Sequence, residues 1–265
     1  MSARMNIVDT RHVVFPARPS PGFDQATIDF YRDLVQPFGR SVDEDLLSRG
    51  GGIQHRDIID DLIRDDFAYR PDLIVIAHAL PDLLPFTVVG PYLDHRLNGG
   101  ATCFGISQQG LGAPFTALRT ALGYHRVSRS RLAVIAILEQ TTLPSRHPVA
   151  EERELLDSGV ILVLSEDAGF PISQVLLLDP ETPVRSSITR HIDKEAGATL
   201  VILGASVDAG DLDCTVQRAD ARHYCTGVWV ALSQASSRLR DTFSTIILCD
   251  TDPVSGASYI AVLRA

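Results

Sequence analysis

The chain has 265 residues, of which 45% are hydrophobic and 22% charged, so it can bury a large core as one large domain or as two fused halves. Its formal net charge of −9 argues against a nucleic-acid partner, because binding a phosphate backbone needs clustered Lys and Arg, whereas the 24 basic residues are spread along the chain. The longest apolar runs, Leu73–Ala77 and Leu132–Leu138, are far shorter than the roughly 20 residues of a membrane span, and we recognise no secretory signal, so we expect a cytoplasmic protein.

Short β-branched runs alternate with helix-length segments, a pattern typical of strands joined by crossover helices. It predicts an α/β layered fold. The predicted strands, in chain order, are Asn6–Phe15, Leu73–Ala77, Ala101–Ser107, Leu132–Leu138, Gly159–Ser165, Gln174–Leu178, Leu200–Leu203, Ser244–Cys249 and Ser258–Leu263. The predicted helices are Asp24–Val35, Asp57–Phe67, Leu83–Leu93, Ala113–Gly123, Thr182–Glu195 and Gly227–Leu239.

The two halves of the chain resemble each other. Residues 73–82 (LIVIAHALPD) align without a gap on residues 199–208 (TLVILGASVD). In each half, a helix that starts at Gly, a strand, a turn and a closing strand follow in the same order. These matches predict an internal duplication, with an N-terminal half at residues 1–157 and a C-terminal half at residues 158–265 that form one compact unit.

Several of these features together resemble the thiolase superfamily, and most closely its ketosynthase III branch of condensing enzymes. They are the duplicated α/β unit, the early DLIVIA…PD strand, the strand, Gly turn and helix that follow Phe104, and the C-terminal hairpin IILCDTDPVSGASYIAVLR. The resemblance implies a five-layered αβαβα fold and acyl thioesters of coenzyme A or acyl carrier protein as substrates. It also implies a dimer through the strand near Cys103, either a homodimer or a heterodimer with an active condensing enzyme.

Catalysis in that family uses a Cys for acyl transfer, with a His and an Asn, or two His, that stabilise charge as malonyl loses CO₂ and attacks. A thiolate at a helix N-terminus is a strong nucleophile and a good leaving group. With Phe104 and the Gly110-x-Gly112 turn as anchors, the Cys position falls on Gly110. With an anchor in the following helix, it falls on Leu111. Neither residue can attack a thioester.

The other two family positions are changed as well. The position of the family's His falls on Gly204, and that of its Asn falls on Arg222 or, one register later, on His223. Three departures in one site predict that the standard condensing chemistry is absent.

Three residues are candidates for a rebuilt catalytic site. Cys225 lies close to a helix start, which would lower the pKa of its thiol, and His223 lies two residues before it. His78 ends the first-half strand at the place equivalent to Gly204, where it could act as a base or an oxyanion donor. Each also has a purely structural interpretation as a buried small or hydrogen-bonded residue. Substrate contacts are expected from Gln108, Gln109, Gly110, Leu111, Gly112 and Arg222.

Other chemistries fit the sequence poorly. The four cysteines have no C-x-x-C spacing, so we expect reduced thiols and no metal site. Cys103 precedes Gly110 by seven residues of extended strand, roughly 20 Å of path, and is interpreted as a buried thiol. A dinucleotide fingerprint at Gly110 fails because its third Gly would fall on Phe115, and we expect no cofactor.

Two functions therefore remain open. In the first, the protein is a non-catalytic subunit of fatty-acid-type, polyketide-type or secondary-metabolite biosynthesis, acting like a chain-length factor or binding a carrier. In the second, it is an acyltransferase or cyclase that acts on an acyl thioester through a non-standard site. Loss of all three family positions favours the first.

Overall fold

The computed structural model describes residues 4–19, 22–64, 66–84, 88–179, 181–192 and 199–264, with the side chains of residues 49 and 237–241 left aside. The strands in these ranges are β1 Asn6–Val14, β2 Leu73–His78, β3 Thr102–Ile106, β4 Ala133–Glu139, β5 Ser158–Ser165, β6 Phe170–Leu177, β7 Thr199–Leu203, β8 Thr215–Arg218, β9 Thr245–Thr251 and β10 Ser258–Arg264. The helices are α1 Gln25–Val35, α2 Glu44–Arg49, α3 His55–Leu62, α4 Val89–Arg96, α5 Gly112–Arg126, α6 Pro148–Glu152, α7 Val184–Thr189 and α8 Gly227–Thr242, with a 3-10 turn at Gln36–Phe38. None of these helices combines the length and apolarity needed to cross a bilayer within the described ranges.

The α/β class and all nine predicted strands are confirmed, with ends that differ by a few residues. One helix start was predicted wrongly: α4 begins at Val89 rather than at Leu83, so that Pro91 lies in its first turn, where proline costs no hydrogen bond. The helix predicted at Thr182–Glu195 is limited to Val184–Thr189, and residues 193–195 of that prediction lie outside the described residues.

The strand order is β3-β2-β4-β5-β1-β6-β10-β9-β7-β8, and its two halves have the same internal topology. In the first half, β2 pairs in parallel with β3 and β4, and β5 is antiparallel to β4 and β1. In the second half, β7, β8, β9, β10 and β6 repeat these pairings in the same order. Strand β5, which pairs with β4 and β1, corresponds in this scheme to β10 of the second half.

Alternating residues of the buried strands separate the core into layers. In β2, Leu73, Val75 and Ala77 face the central cluster around α5 and α8, whereas Ile74 and Ile76 face the outer cluster formed with α3 and α4. This alternation is the period of two that a strand buried on both faces shows.

The second half follows the same rule. In β7, Leu200 and Ile202 face the central cluster, and Val201 and Leu203 face an outer cluster that includes Ile188 of α7. The result is the five-layered αβαβα arrangement, with α5 and α8 in the middle layer and their N-terminal ends close together.

Candidate functional site

A cleft of about 600 Å³ lies where the turn before α5 meets the start of α8 and the β9–β10 turn. Ala79 lines its wall, and Val254 and Tyr259 contribute from the β9–β10 hairpin. Of the predicted substrate-contact residues, Gln108, Gln109 and Gly110 also line it.

The remaining predicted contact residues lie elsewhere. Leu111 and Gly112 are buried at the start of α5, and Gly112 packs so closely on Tyr259 that a Cβ there would lie 2.5 Å from the hydroxyl. Arg222 is exposed and binds the carboxylate of Asp220 at 2.7 Å, which lowers the pKa of that carboxyl to about 2. An exposed pair of this kind contributes little stability.

Gly110, which the sequence predicts at the family's nucleophile position, has no room for a side chain. Its φ is +49°, a left-handed conformation that favours glycine. A Cβ built there would overlap the Oδ2 atom of Asp252 and lie 2.8 Å from the Tyr224 hydroxyl. The space that a nucleophilic side chain would use is therefore filled by a carboxylate.

Asp252 is held by four hydrogen bonds. Its Oδ2 accepts from the Leu111 amide at 2.9 Å and from the Tyr224 hydroxyl at 2.8 Å. Its Oδ1 accepts from the amides of Val254 and Ser255 at 2.8 and 2.9 Å. Burial raises the pKa of Asp252, but these hydrogen bonds outweigh it and hold the pKa below the usual value. Asp252 is thus an anion at neutral pH whose acceptor positions are largely used by its own surroundings.

A second carboxylate lies at the start of α8. Glu139, the last residue of β4, accepts from the amides of Tyr224, Cys225 and Thr226 at 2.7, 2.5 and 3.2 Å. Burial raises the pKa of Glu139 to about 7, although these amides oppose the shift. An acid at a helix N-terminus satisfies amides that have no partner within the helix.

A third carboxylate covers Gly204, the position of the family's His. A Cβ on Gly204 would overlap the carboxylate of Asp250, which lies near the end of β9. Burial raises the pKa of Asp250 to about 8, with the charges of Asp252 and Glu139 adding to it, so this acid is largely protonated at pH 7. The two glycines predicted to stand at family catalytic positions, Gly110 and Gly204, are therefore both covered by carboxyl groups, one from the end of β9 and one from the turn after it.

The three candidate catalytic residues have different surroundings, and all three lie outside the described lining of the cleft. Cys225 is 1% exposed, and burial raises the pKa of its thiol well above the usual value, so it holds a neutral thiol. His223 is buried, with Nδ1 3.1 Å from the Ser158 hydroxyl. His78 donates from Nδ1 to the Leu80 carbonyl at 2.7 Å and lines a different cavity. The described part of the cleft wall includes none of these three side chains.

His147 and the acids around the cleft were missed from the sequence. His147 lines the cleft with its ring centre 6.0 Å from that of Tyr224, and its buried Nδ1 has no hydrogen-bond partner among the described residues. Burial lowers its pKa, and the charge of Asp252 opposes this. The signal that could have found the acids is their position at the ends of fully apolar strands. Across the described ranges, no three His, Cys, Asp or Glu side chains group to hold a metal ion.

Comparison with known proteins identifies the fold. No family model matches the chain, and no curated protein sequence matches it. Among solved structures it is similar to β-ketoacyl-[acyl carrier protein] synthase III from Thermus thermophilus, with 15% identity, a TM-score of 0.63 and coverage of 98% of this chain and 99% of that one. It is also similar to OleA from Xanthomonas campestris solved with lauric acid and lauroyl-CoA, with 13% identity, a TM-score of 0.64 and full coverage of both chains. The chain therefore has the thiolase-like fold of these condensing enzymes.

Proposed function

We propose that this chain is an accessory subunit of a ketosynthase III-like system in fatty-acid-type, polyketide-type or secondary-metabolite biosynthesis, which binds an acyl thioester without forming an acyl-enzyme. The observation that carries the proposal is the Asp252 carboxylate in the space beside Gly110. Acyl transfer through the enzyme requires a nucleophile at the α5 N-terminus, and here that helix end holds an anion instead.

The state of Asp252 argues against a substitute role as nucleophile or base. Its four hydrogen bonds lower its basicity and fix its orientation. A base with a depressed pKa is a weak proton acceptor at neutral pH, since efficient general bases have pKa values near the working pH.

The cleft retains the size and chemistry of a ligand site. Its volume of about 600 Å³ lies within the range of small-molecule sites. Exposed amide groups of Gln108 and Gln109 can hydrogen-bond to a carbonyl or amide, and Val254 and Tyr259 offer apolar contact. This combination suits an acyl thioester of coenzyme A or acyl carrier protein.

The edge of the sheet suits the proposed dimer. Strand β3 is at one end of the strand order, so one side of its backbone can pair with another chain. Cys103 on this strand is half-buried, and burial together with Asp94 raises the pKa of its thiol to about 11, so it stays a neutral apolar group. The partner is either a second copy or an active condensing enzyme.

A second candidate function is an acyltransferase or cyclase that uses the cleft without a covalent intermediate. His147 favours it, because this residue lines the cleft beside Tyr224 as a neutral imidazole. Its Nδ1 has no hydrogen-bond partner among the described residues. Such a group could move a proton on a bound thioester.

The test combines intact-mass measurement with binding. The purified protein is incubated with acetyl-, hexanoyl- and lauroyl-coenzyme A and with the matching acyl carrier proteins, and we expect no mass gain but saturable binding by calorimetry. Val254→Trp, at the cleft, should weaken binding at least tenfold, whereas Val216→Trp, at another exposed valine, in β8, should leave it unchanged.

Two outcomes would overturn the proposal. One is a stable acyl adduct that Cys225→Ser abolishes and Cys103→Ser does not. The other is the absence of both thioester binding and co-purification with a condensing enzyme. Turnover of an acyl thioester that His147→Gln abolishes would instead support the second candidate.

A further inference from the structure

A second cavity, of about 510 Å³, lies outside the cleft, between the start of α4 and strands β2 and β3. One end is polar and contains His55, His78 and Asp82. The remaining wall is mainly apolar and includes Ile76, Val89 and Phe104. An apolar chamber with a few convergent polar groups is the usual form of a small-molecule site.

The polar end contains buried groups that the fold does not satisfy. His55 is 1% exposed, and its Nε2 has no hydrogen-bond partner among the described residues. The Oδ2 of Asp82 is also buried and accepts no hydrogen bond from a described residue. It lies 3.9 Å from His55 Nδ1. Because buried polar groups are nearly always hydrogen-bonded, each such group needs an explanation.

The backbone fixes this arrangement. The other carboxylate oxygen of Asp82, Oδ1, accepts from the amides of His55 and Leu83 at 2.9 and 2.8 Å, which orients the carboxylate. The rings of His55 and His78 are 5.0 Å apart between centroids. One oxygen therefore positions the side chain, while Oδ2 is left for another partner.

At the polar end of this cavity, the protonation states of the two histidines leave hydrogen-bond acceptors. Burial lowers the pKa of both histidines, so both rings are neutral at pH 7. A carbonyl can only accept, so the Nδ1 of His78 must carry the proton that bonds to Leu80, and its Nε2 keeps a lone pair. In His55, Nδ1 is the ring nitrogen nearer Asp82, at 3.9 Å from Oδ2, and the tautomer protonated there leaves Nε2 as an acceptor.

We propose that this cavity binds a small ligand with a protonated amine, such as a primary alkylammonium, through His55, His78 and Asp82. An ammonium supplies three N–H donors and a positive charge, which match the acceptors and the carboxylate. Its alkyl body fits the apolar wall. The Asp82 carboxylate would repel an anionic ligand. The described side chains also provide no group of three ligands for a metal ion. The proposal does not depend on the function of the cleft.

Calorimetry with three six-carbon probes tests the chemistry. We expect n-hexylammonium to bind at pH 7 at least tenfold more tightly than 1-hexanol, and hexanoate to show no binding. Asp82→Asn keeps the Oδ1 acceptor but removes the negative charge. It should therefore weaken the binding of hexylammonium at least tenfold and leave the binding of hexanol unchanged.

A plug variant tests the location. Gly105 lines the cavity, and a Cβ there has as its nearest neighbour the Ile76 carbonyl at 3.9 Å, so Gly105→Val can place its Cβ without a clash and fills space at this wall. It should abolish hexylammonium binding, whereas Thr102→Val, an exposed residue of the same strand, should not. Equal binding of hexylammonium and hexanol would overturn the proposal, as would unchanged binding in Asp82→Asn or Gly105→Val.

Discussion

Replacing Gly110 with Ala measures how firmly the carboxylate occupies the nucleophile position. Alanine at φ +49° costs roughly 1–2 kcal/mol because of the left-handed conformation. The new Cβ also displaces Asp252 from Leu111 and Tyr224, and each hydrogen bond to a charged group contributes about 1.5–3 kcal/mol. With one bond lost, the free energy of unfolding should fall by about 2.5–5 kcal/mol.

The assay is urea unfolding followed by circular dichroism, with a double-mutant cycle. In an Asp252→Ala background the overlap is gone, so Gly110→Ala should cost only the roughly 1–2 kcal/mol of the backbone conformation. The matched control is Gly123→Ala in α5, where a Cβ meets nothing within 4 Å and helix propensity should stabilise by about 1 kcal/mol. A cost below about 1 kcal/mol for Gly110→Ala, or additivity in the cycle, would refute the reasoning.

Three other predictions concern the buried acids. Gly204→Ala should lower the free energy of unfolding by about 1–3 kcal/mol in the same urea assay, because its Cβ overlaps Asp250; a variant as stable as the wild type would contradict this. Glu139→Gln turns an NH₂ group toward helix amides and should cost about 2–4 kcal/mol, whereas the exposed control Asp220→Asn should cost under about 1 kcal/mol. The pKa of Asp250 is about 8, above its unfolded value near 3.8, so the folded state holds the extra proton and this contribution to stability falls as pH rises from about 4 to 8. The difference in unfolding free energy between the wild type and Asp250→Asn should therefore shrink with pH, by up to about 1.4 kcal/mol per pH unit, and a flat difference would contradict the raised pKa.

The fold could be predicted because its signals are local. Strands buried on both faces are continuous apolar runs, and each run that was predicted as a strand is one in the structure. Strand β8, Thr215–Arg218, was missed because it is a short, largely exposed edge strand with no apolar run. Helix α4 was placed too early because leucines at 83 and 84 continue its apolar pattern, although Leu83 packs with Tyr31 and Leu47 instead.

The site could be predicted only in part, because its contacts join distant parts of the chain. That Gly110 lies at a helix start is visible in the sequence, but the carboxylate beside it comes from Asp252, 141 residues from the Leu111 amide it binds. The polar residues Asp220, Arg222 and His223 before Cys225 give no sign that its thiol is buried against Leu138 and Glu139. The sequence shows which acids end apolar strands. It does not show which helix N-terminus each acid binds, because that depends on how the two halves pack.

Each repeat supplies a carboxylate that binds the N-terminus of the central helix in the other repeat. Asp252 follows β9 of the second repeat and binds the start of α5 in the first, while Glu139 ends β4 of the first repeat and binds the start of α8 in the second. A helix N-terminus carries partial positive charge, which can lower the pKa of a thiol or hold an anion. At Gly110 the bound anion leaves no place for a reactive thiol, because the Asp252 carboxylate accepts the Leu111 amide and also fills the space beside Gly110. A single Cys substitution at Gly110 would therefore not recreate a nucleophile, since the helix end is committed to joining the two halves.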